Sequence, residues 1–116
     1  MRIIENKGIK MSKYYRLNDA HVVVDGDVCH VYMEVDPTSE YSSEASESYP
    51  LCELPANIKA KFTERIGVVS YSGKKLFINV FTHEGSNGIT IRPSEKPAKY
   101  AGTFIKFSFL IEDIEG

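Results

Sequence analysis

His21-Val22-Val23-Val24-Asp25-Gly26-Asp27-Val28-Cys29-His30-Val31-Tyr32-Met33-Glu34-Val35 is the stretch that decides the fold. Two runs rich in β-branched residues flank an Asp-Gly pair. That combination signals a hairpin, because the tight turns that match strand twist need positive φ at their centre. The second run alternates: Cys29, Val31, Met33 and Val35 fall on one side, and His30, Tyr32 and Glu34 on the other. A period of two marks a strand with one buried and one wetter face. A helix would need an apolar repeat of about 3.6 residues, which is absent here. His21 and His30 flank the turn and are placed to face each other across the two strands. A metal would need a third ligand such as Asp19 or Glu34. The spacing matches no His/Cys metal pattern, so both histidines are read as solvent-facing strand residues.

The same alternation recurs further along. In residues 103–111, Ile105, Phe107, Phe109 and Ile111 share one face, with Lys106, Ser108 and Glu112 opposite. Phe104 and Leu110 fall on that second face too, so it is not simply a solvated one. In residues 75–81, Leu76, Ile78 and Val80 oppose Phe77, Asn79 and Phe81. Apolar groups on both faces point to a strand covered on both sides, or facing a neighbouring chain. Shorter strand signals lie at residues 14–17, 49–54, 58–62, 65–71 and 89–91. Pro55 ends one of them, since proline cannot donate to a ladder. Ser72-Gly73 and the segment 83–88 read as turns, with Gly85 and Gly88 as hairpin residues rather than a phosphate cradle. The spacing predicts seven to eight short strands and no helix, hence an all-β fold: an antiparallel β-sandwich or a jelly-roll-like barrel. Residues 36–48, rich in Ser and Glu, read as a long exposed loop, and 94–102 as a second surface loop. Residues 1–12 are polar and read as an arm or linker, leaving 13–116 as the sandwich domain.

A chain of 116 residues is one domain and can bury a core without disulfides or metal. The net charge of −2 with scattered basic residues points away from nucleic acid. Cys29 and Cys52 have neither metal nor redox spacing and lie in apolar contexts, so they read as buried thiols rather than a disulfide. That usage fits synthesis in a bacterial cytoplasm. The N-terminus lacks the apolar core and cleavage site of a signal peptide, and no apolar run approaches a membrane span, so no membrane insertion is expected.

Catalytic patterns are missing from the sequence. There is no Gly-x-Ser-x-Gly elbow, and neither cysteine has a reasoned His partner. Glu34 with Asp36, and Glu40 with Glu44 and Glu47, pair carboxylates, but a Ser-rich loop holds a fixed acid–base geometry poorly. The loop also lacks the alternating-Asp spacing that wraps calcium. The reading is therefore non-enzymatic, with no cofactor. Tyrosine combines apolar area with a hydroxyl and suits sugar faces and protein contacts. On that basis Tyr41, Glu44, Tyr49, His83, Asn87 and Tyr100 are the candidates for an exposed recognition rim.

One further pattern covers residues 49–112. A strand ends at the Leu54-Pro55 corner, Gly88-Ile89-Thr90-Ile91 forms a glycine-led strand, and Ala101-Gly102-Thr103-Phe104-Ile105-Lys106-Phe107-Ser108 closes the domain. This order resembles the C-terminal β-module of bacteriophage tail fibres and receptor-binding proteins. It departs from that family after the corner, where Ala56-Asn57-Ile58-Lys59-Ala60 replaces the usual glycine, aromatic and Arg-Pro, and the fibre shaft preceding such tips has no counterpart. The resemblance implies a homotrimer in which Phe77, Phe81, Phe104 and Leu110 face the three-fold neighbours. It implies attachment, at the virion tail tip, to a bacterial cell-surface saccharide or protein, with three linked sites raising avidity. Two alternatives belong to other classes: a small phage virion structural or assembly protein, and a phage-encoded inhibitor that docks on one host protein through its acidic loop.

Overall fold

Among the described residues nine strands follow one another: β1 (Arg2–Ile4), β2 (Lys10–Met11), β3 (Tyr15–Asp25), β4 (Val28–Pro37), β5 (Tyr49–Glu53), β6 (Glu64–Tyr71), β7 (Lys75–Thr82), β8 (Gly88–Pro93) and β9 (Thr103–Leu110). A 3-10 turn, Asn6–Gly8, separates the first two. The computed structural model describes residues 1–40, 48–71, 75–93 and 103–112. Hydrogen-bonded neighbours run β1-β3-β4-β9-β6-β7-β8-β5-β2, every adjacent pair antiparallel. Between β9 and β6 the ladder passes, among the described residues, through one residue pair, Phe104 with Tyr71. There it turns a corner, so four strands (β1-β3-β4-β9) pack face to face on five (β6-β7-β8-β5-β2) as a β-sandwich.

The alternation read from the sequence places the core. Cys29, Val31, Met33 and Val35 of β4 are buried, as are Ile105, Phe107 and Phe109 of β9. They share one cluster with Leu51, Ile78, Val80, Ile89 and Ile91 from the other sheet. The opposite positions of β9, Phe104, Lys106, Ser108 and Leu110, all face outward. The β3–β4 hairpin forms, but its two-residue turn is Gly26-Asp27, with Asp25 paired to Val28. That is one residue beyond the Asp25-Gly26 centre, and Gly26 supplies the positive φ of 62°.

Four sequence expectations are corrected. Residues 1–12 are not an arm: β1 pairs with β3, β2 pairs with β5, and Ile9 between them is buried in the core at 7 % exposure. Because β1 and β2 are the outermost strands of the two sheets, residues 5–9 cross the open side of the sandwich opposite the β9–β6 corner. Segments 14–17 and 21–24 are one strand, β3, interrupted by a register shift between Leu17 and Asp19; the extra residue, Asn18, is a bulge. Segment 58–62 is not a strand. Ile58 and Ala60 do point inward, but Ala60 makes an isolated bridge to Ile111. Its amide donates to the Ser86 carbonyl (2.9 Å) and its own carbonyl accepts from Gly85 (2.9 Å), so the segment plugs one end of the sandwich. Finally, Asp36 and Pro37 extend β4 rather than opening the loop. Asp36 is buried, and its Oδ2 accepts from Arg16 at 2.7 Å.

Two substitutions test this architecture. Phe107→Asp places an unpaired carboxylate between the sheets, and the chain is expected to lose its cooperative thermal transition by circular dichroism; a melt like the parent's would refute the core placement. Thr82 is fully buried and its Oγ1 donates to the Phe62 carbonyl at 3.0 Å, tying the end plug to β7. Thr82→Val keeps the shape and orphans that carbonyl, so urea denaturation is expected to show a loss of about 1–3 kcal/mol.

Candidate functional site

Among the described residues, register gathers seven strand ends at one end of the sandwich: Tyr15, Pro37, Tyr49, Tyr71, Lys75, Pro93 and Thr103. Of the expected recognition rim, Tyr41, Glu44 and Tyr100 belong to the connections leaving this end and lie outside the described residues. Tyr49 is at the same end but is not on a rim. It is 5 % exposed and packs edge-on against Tyr14, ring centroids 4.8 Å apart. As the first residue of β5 it pairs with Ile91 on the inner face, which sends the ring into the core.

His83 and Asn87 sit at the opposite end from Tyr49, so the three described residues do not share one surface. Asn87 is half-buried and structural. Its Nδ2 donates to the Leu54 carbonyl at 2.5 Å while its own carbonyl accepts from the Leu54 amide at 2.9 Å. The side chain thus clamps the Leu54-Pro55 corner to the β7–β8 turn, where Gly85 adopts a φ of 77°. His83 is exposed, and its Nε2 is hydrogen-bonded to Thr90 Oγ1.

His83 and Thr90 border a cleft of about 300 Å³ on β2, β5 and β8. Met11, Pro50, Cys52 and Ile89 supply apolar wall, and Lys10 and Glu53 charge its rim. A second irregularity shapes it. Pro50 has no amide to give the ladder, and the β5–β8 register shifts between Pro50 and Cys52. Sequence reading found His83 as a candidate but not the cleft, because the register shift that opens it has no local signal beyond one proline.

Ser12 borders the cleft with an Oγ that accepts from the Tyr14 amide at 3.3 Å. Burial pushes the Cys52 thiol up to about 12, and its neighbours Cys29 and Glu53 add to the shift. Burial likewise lifts Cys29 to about 12, against a smaller opposing pull from Arg2. Both cysteines are free thiols. A thiol held protonated is a poor nucleophile.

The hairpin histidines do not face each other. His21 is opposite Tyr32, and His30 is opposite Val23. His21 Nε2 approaches Asp19 Oδ2 at 3.3 Å, whereas His30 Nδ1 bonds Ser108 Oγ at 2.7 Å. Among the described residues, no three His, Cys, Asp or Glu side chains are grouped to hold a metal ion.

The four expected subunit-contact residues all point outward, on two different faces. Phe77 (49 % exposed) and the half-buried Phe81 lie on the five-stranded sheet, Phe104 (38 %) and Leu110 (36 %) on the four-stranded one. Val69 joins them at 55 % exposure, paired with Phe77. The Phe77 ring lies over Gly67, where an added Cβ would meet Cζ at 2.9 Å. Arg92 sits over the Phe81 ring, 6.0 Å from its centroid.

The raised thiols give a signed expectation. A folded-state thiol pKa near 12 against an ordinary 9.0 means the native chain resists ionisation. Their contribution to stability is intact below about pH 9 and is lost as pH rises towards 12, where the unfolded chain releases protons first. Native protein is expected to show almost no reaction with a thiol reagent at pH 8 and full reaction of both cysteines once denatured. Fast native labelling would place a thiol at the surface. No protein-family model, curated protein or solved structure matches this chain.

Proposed function

We propose that the chain is a non-enzymatic adhesion module that acts as a homotrimer, binding a bacterial cell-surface saccharide or protein in the manner of a phage tail-fibre tip. The observation that carries this reading is the row of large apolar side chains on the outer faces of strands whose inner faces are already filled. Phe77, Val69 and Phe104 stay in water while Ile78, Val68 and Ile105 next to them fill the core. Leaving that much apolar surface exposed in a lone chain is costly, and such patches mark contact surfaces.

The corner between β9 and β6 supports a closed arrangement. Phe104 lies on one side of that corner and Val69 and Phe77 on the other, so the two apolar faces meet along an edge like the sides of a wedge. A cyclic assembly needs two unlike faces that converge on its axis. With the corner at the axis, the end where the strand termini gather is presented three times in one direction. Individually weak sites there become strong through linkage.

Light scattering on the purified chain is expected to give three times the 13.1 kDa chain mass. The trimer is then expected to be retained on bacterial cell walls and to lose that retention when residues 39–46 are deleted, with its melt unchanged. A monomeric mass overturns the trimer. Unimpaired retention after the deletion moves the binding site away from this end.

A further inference from the structure

The two outer faces differ in charge as well as in position. On the five-stranded sheet, the face formed by β6, β7 and β8 carries Arg65 and Arg92 among Val69, Phe77, Phe81, Asn79 and Thr90. No carboxylate shares this face among the described residues of those strands. Arg65 pairs across β6–β7 with Phe81, and Arg92 across β7–β8 with Asn79. Arg92 also donates from Nε to Ser48 Oγ at 3.2 Å, which is a neutral partner.

The outer face of β3, β4 and β9 has the opposite balance. Asp19, Asp25, Glu34 and Asp36 lie on it against two cations, Lys106 and Arg16, the latter already paired with Asp36 at 2.7 Å, and with His21 and His30. Its apolar content is Val23, Tyr32, Phe104 and Leu110. Tyr32 is flanked by His21 at 5.7 Å and Phe104 at 6.2 Å, centroid to centroid, which makes an aromatic row across three strands. Asp19 and Glu34 face each other at the end of that row.

We infer that the Arg65/Arg92 face of one copy docks on the Asp19/Glu34 face of the next, aromatic row against Phe77 and Phe81. This rests on the oligomeric reading above and deepens it by naming which surface meets which. Two faces of like charge would repel, so a symmetric pairing of either face with itself is disfavoured, whereas the unlike pairing brings guanidinium groups to carboxylates. An interface of unlike faces is head-to-tail, and it closes into a ring when the rotation between copies allows. Arginine beside exposed aromatic rings is also the composition that recurs at the centre of protein interfaces.

Charge reversal tests the pairing. Arg65→Glu with Arg92→Glu gives two acidic faces, and Asp19→Lys with Glu34→Lys gives two basic ones. Each pair is expected to weaken association about tenfold or more, so that light scattering reads a single-chain mass at a concentration where the parent is assembled. All four substitutions in one chain restore opposite charge and are expected to restore the parent mass. If the parent assembles and both pairs still assemble, these faces do not meet, although the oligomeric reading stands. Dissociation by both pairs without recovery in the combined chain also overturns the pairing. A monomeric parent overturns both ideas. Should a reversed pair fail to fold, salt decides: assembly of the parent is expected to weaken as salt is added, and indifference to salt rejects the charge pairing.

Discussion

Among the described residues one backbone pair, Tyr71 with Phe104, carries the ladder from one sheet to the other, and the arrangement of everything else depends on it. A nine-stranded ladder that stayed open would leave one apolar face along its whole width. Turning at this pair brings Ile105 and Phe107 over the same core as Ile78 and Val80. The two sheets are therefore held by burial much more than by hydrogen bonds between them, and apolar burial is non-directional. Position must come from other devices. Glu5–Ile9 spans the side away from the corner, and the Ala60–Ile111 bridge with its neighbouring amide bonds closes one end. At the other end Arg16 and Asp36 fasten the start of β3 to the end of β4.

Strand alternation was legible wherever strands were long and half-buried, as in β4 and β9, because there period two has several repeats in which to show. The short N-terminal strands have three and two residues, too few for any period, so their pairing could not be read. The hairpin shows how a small error propagates. Centring the turn on Asp25-Gly26 pairs His21 with His30. Centring it on Gly26-Asp27 shifts each partner by two residues, so His21 meets Tyr32 and His30 meets Val23. Faces survive a shift of two, since side chains alternate, but individual neighbours do not. The core was therefore readable while the pairings of the histidines were not. Segment 58–62 fails in the reverse way: Ile58 and Ala60 do alternate inward, yet they plug an end where little ladder is available.

The candidate site was legible only as a set of residue types. Tyrosine is ambiguous by its chemistry, and Tyr49 resolves to the core because its partner Ile91 faces inward. Asn87 reads from the sequence as one of the recognition-rim candidates. It is committed instead to both hydrogen-bonding groups of Leu54, a contact 33 residues away in sequence that no local pattern announces. The apolar outer residues were the better signal, since an apolar residue on each parity of one strand cannot all fit a single core.

How this sandwich treats its edges bears on which surfaces are left for partners. A long bare edge strand invites pairing with another chain, and proteins blunt that hazard by keeping edges short. Here the edges are β1, with three residues, and β2, with two, joined to each other by the chain that crosses the open side. Neither offers much ladder. On the opposite side β9 and β6 are tied at the Tyr71–Phe104 pair. The two outermost strands thus offer strand-to-strand addition little to grip, whereas the sheet faces carry Phe77, Val69 and Phe104 in water. Association driven by apolar area would therefore proceed through faces. Since Arg65 and Arg92 lie on one face and Asp19 and Glu34 on the other, the face that best complements either one is the unlike face of a second copy.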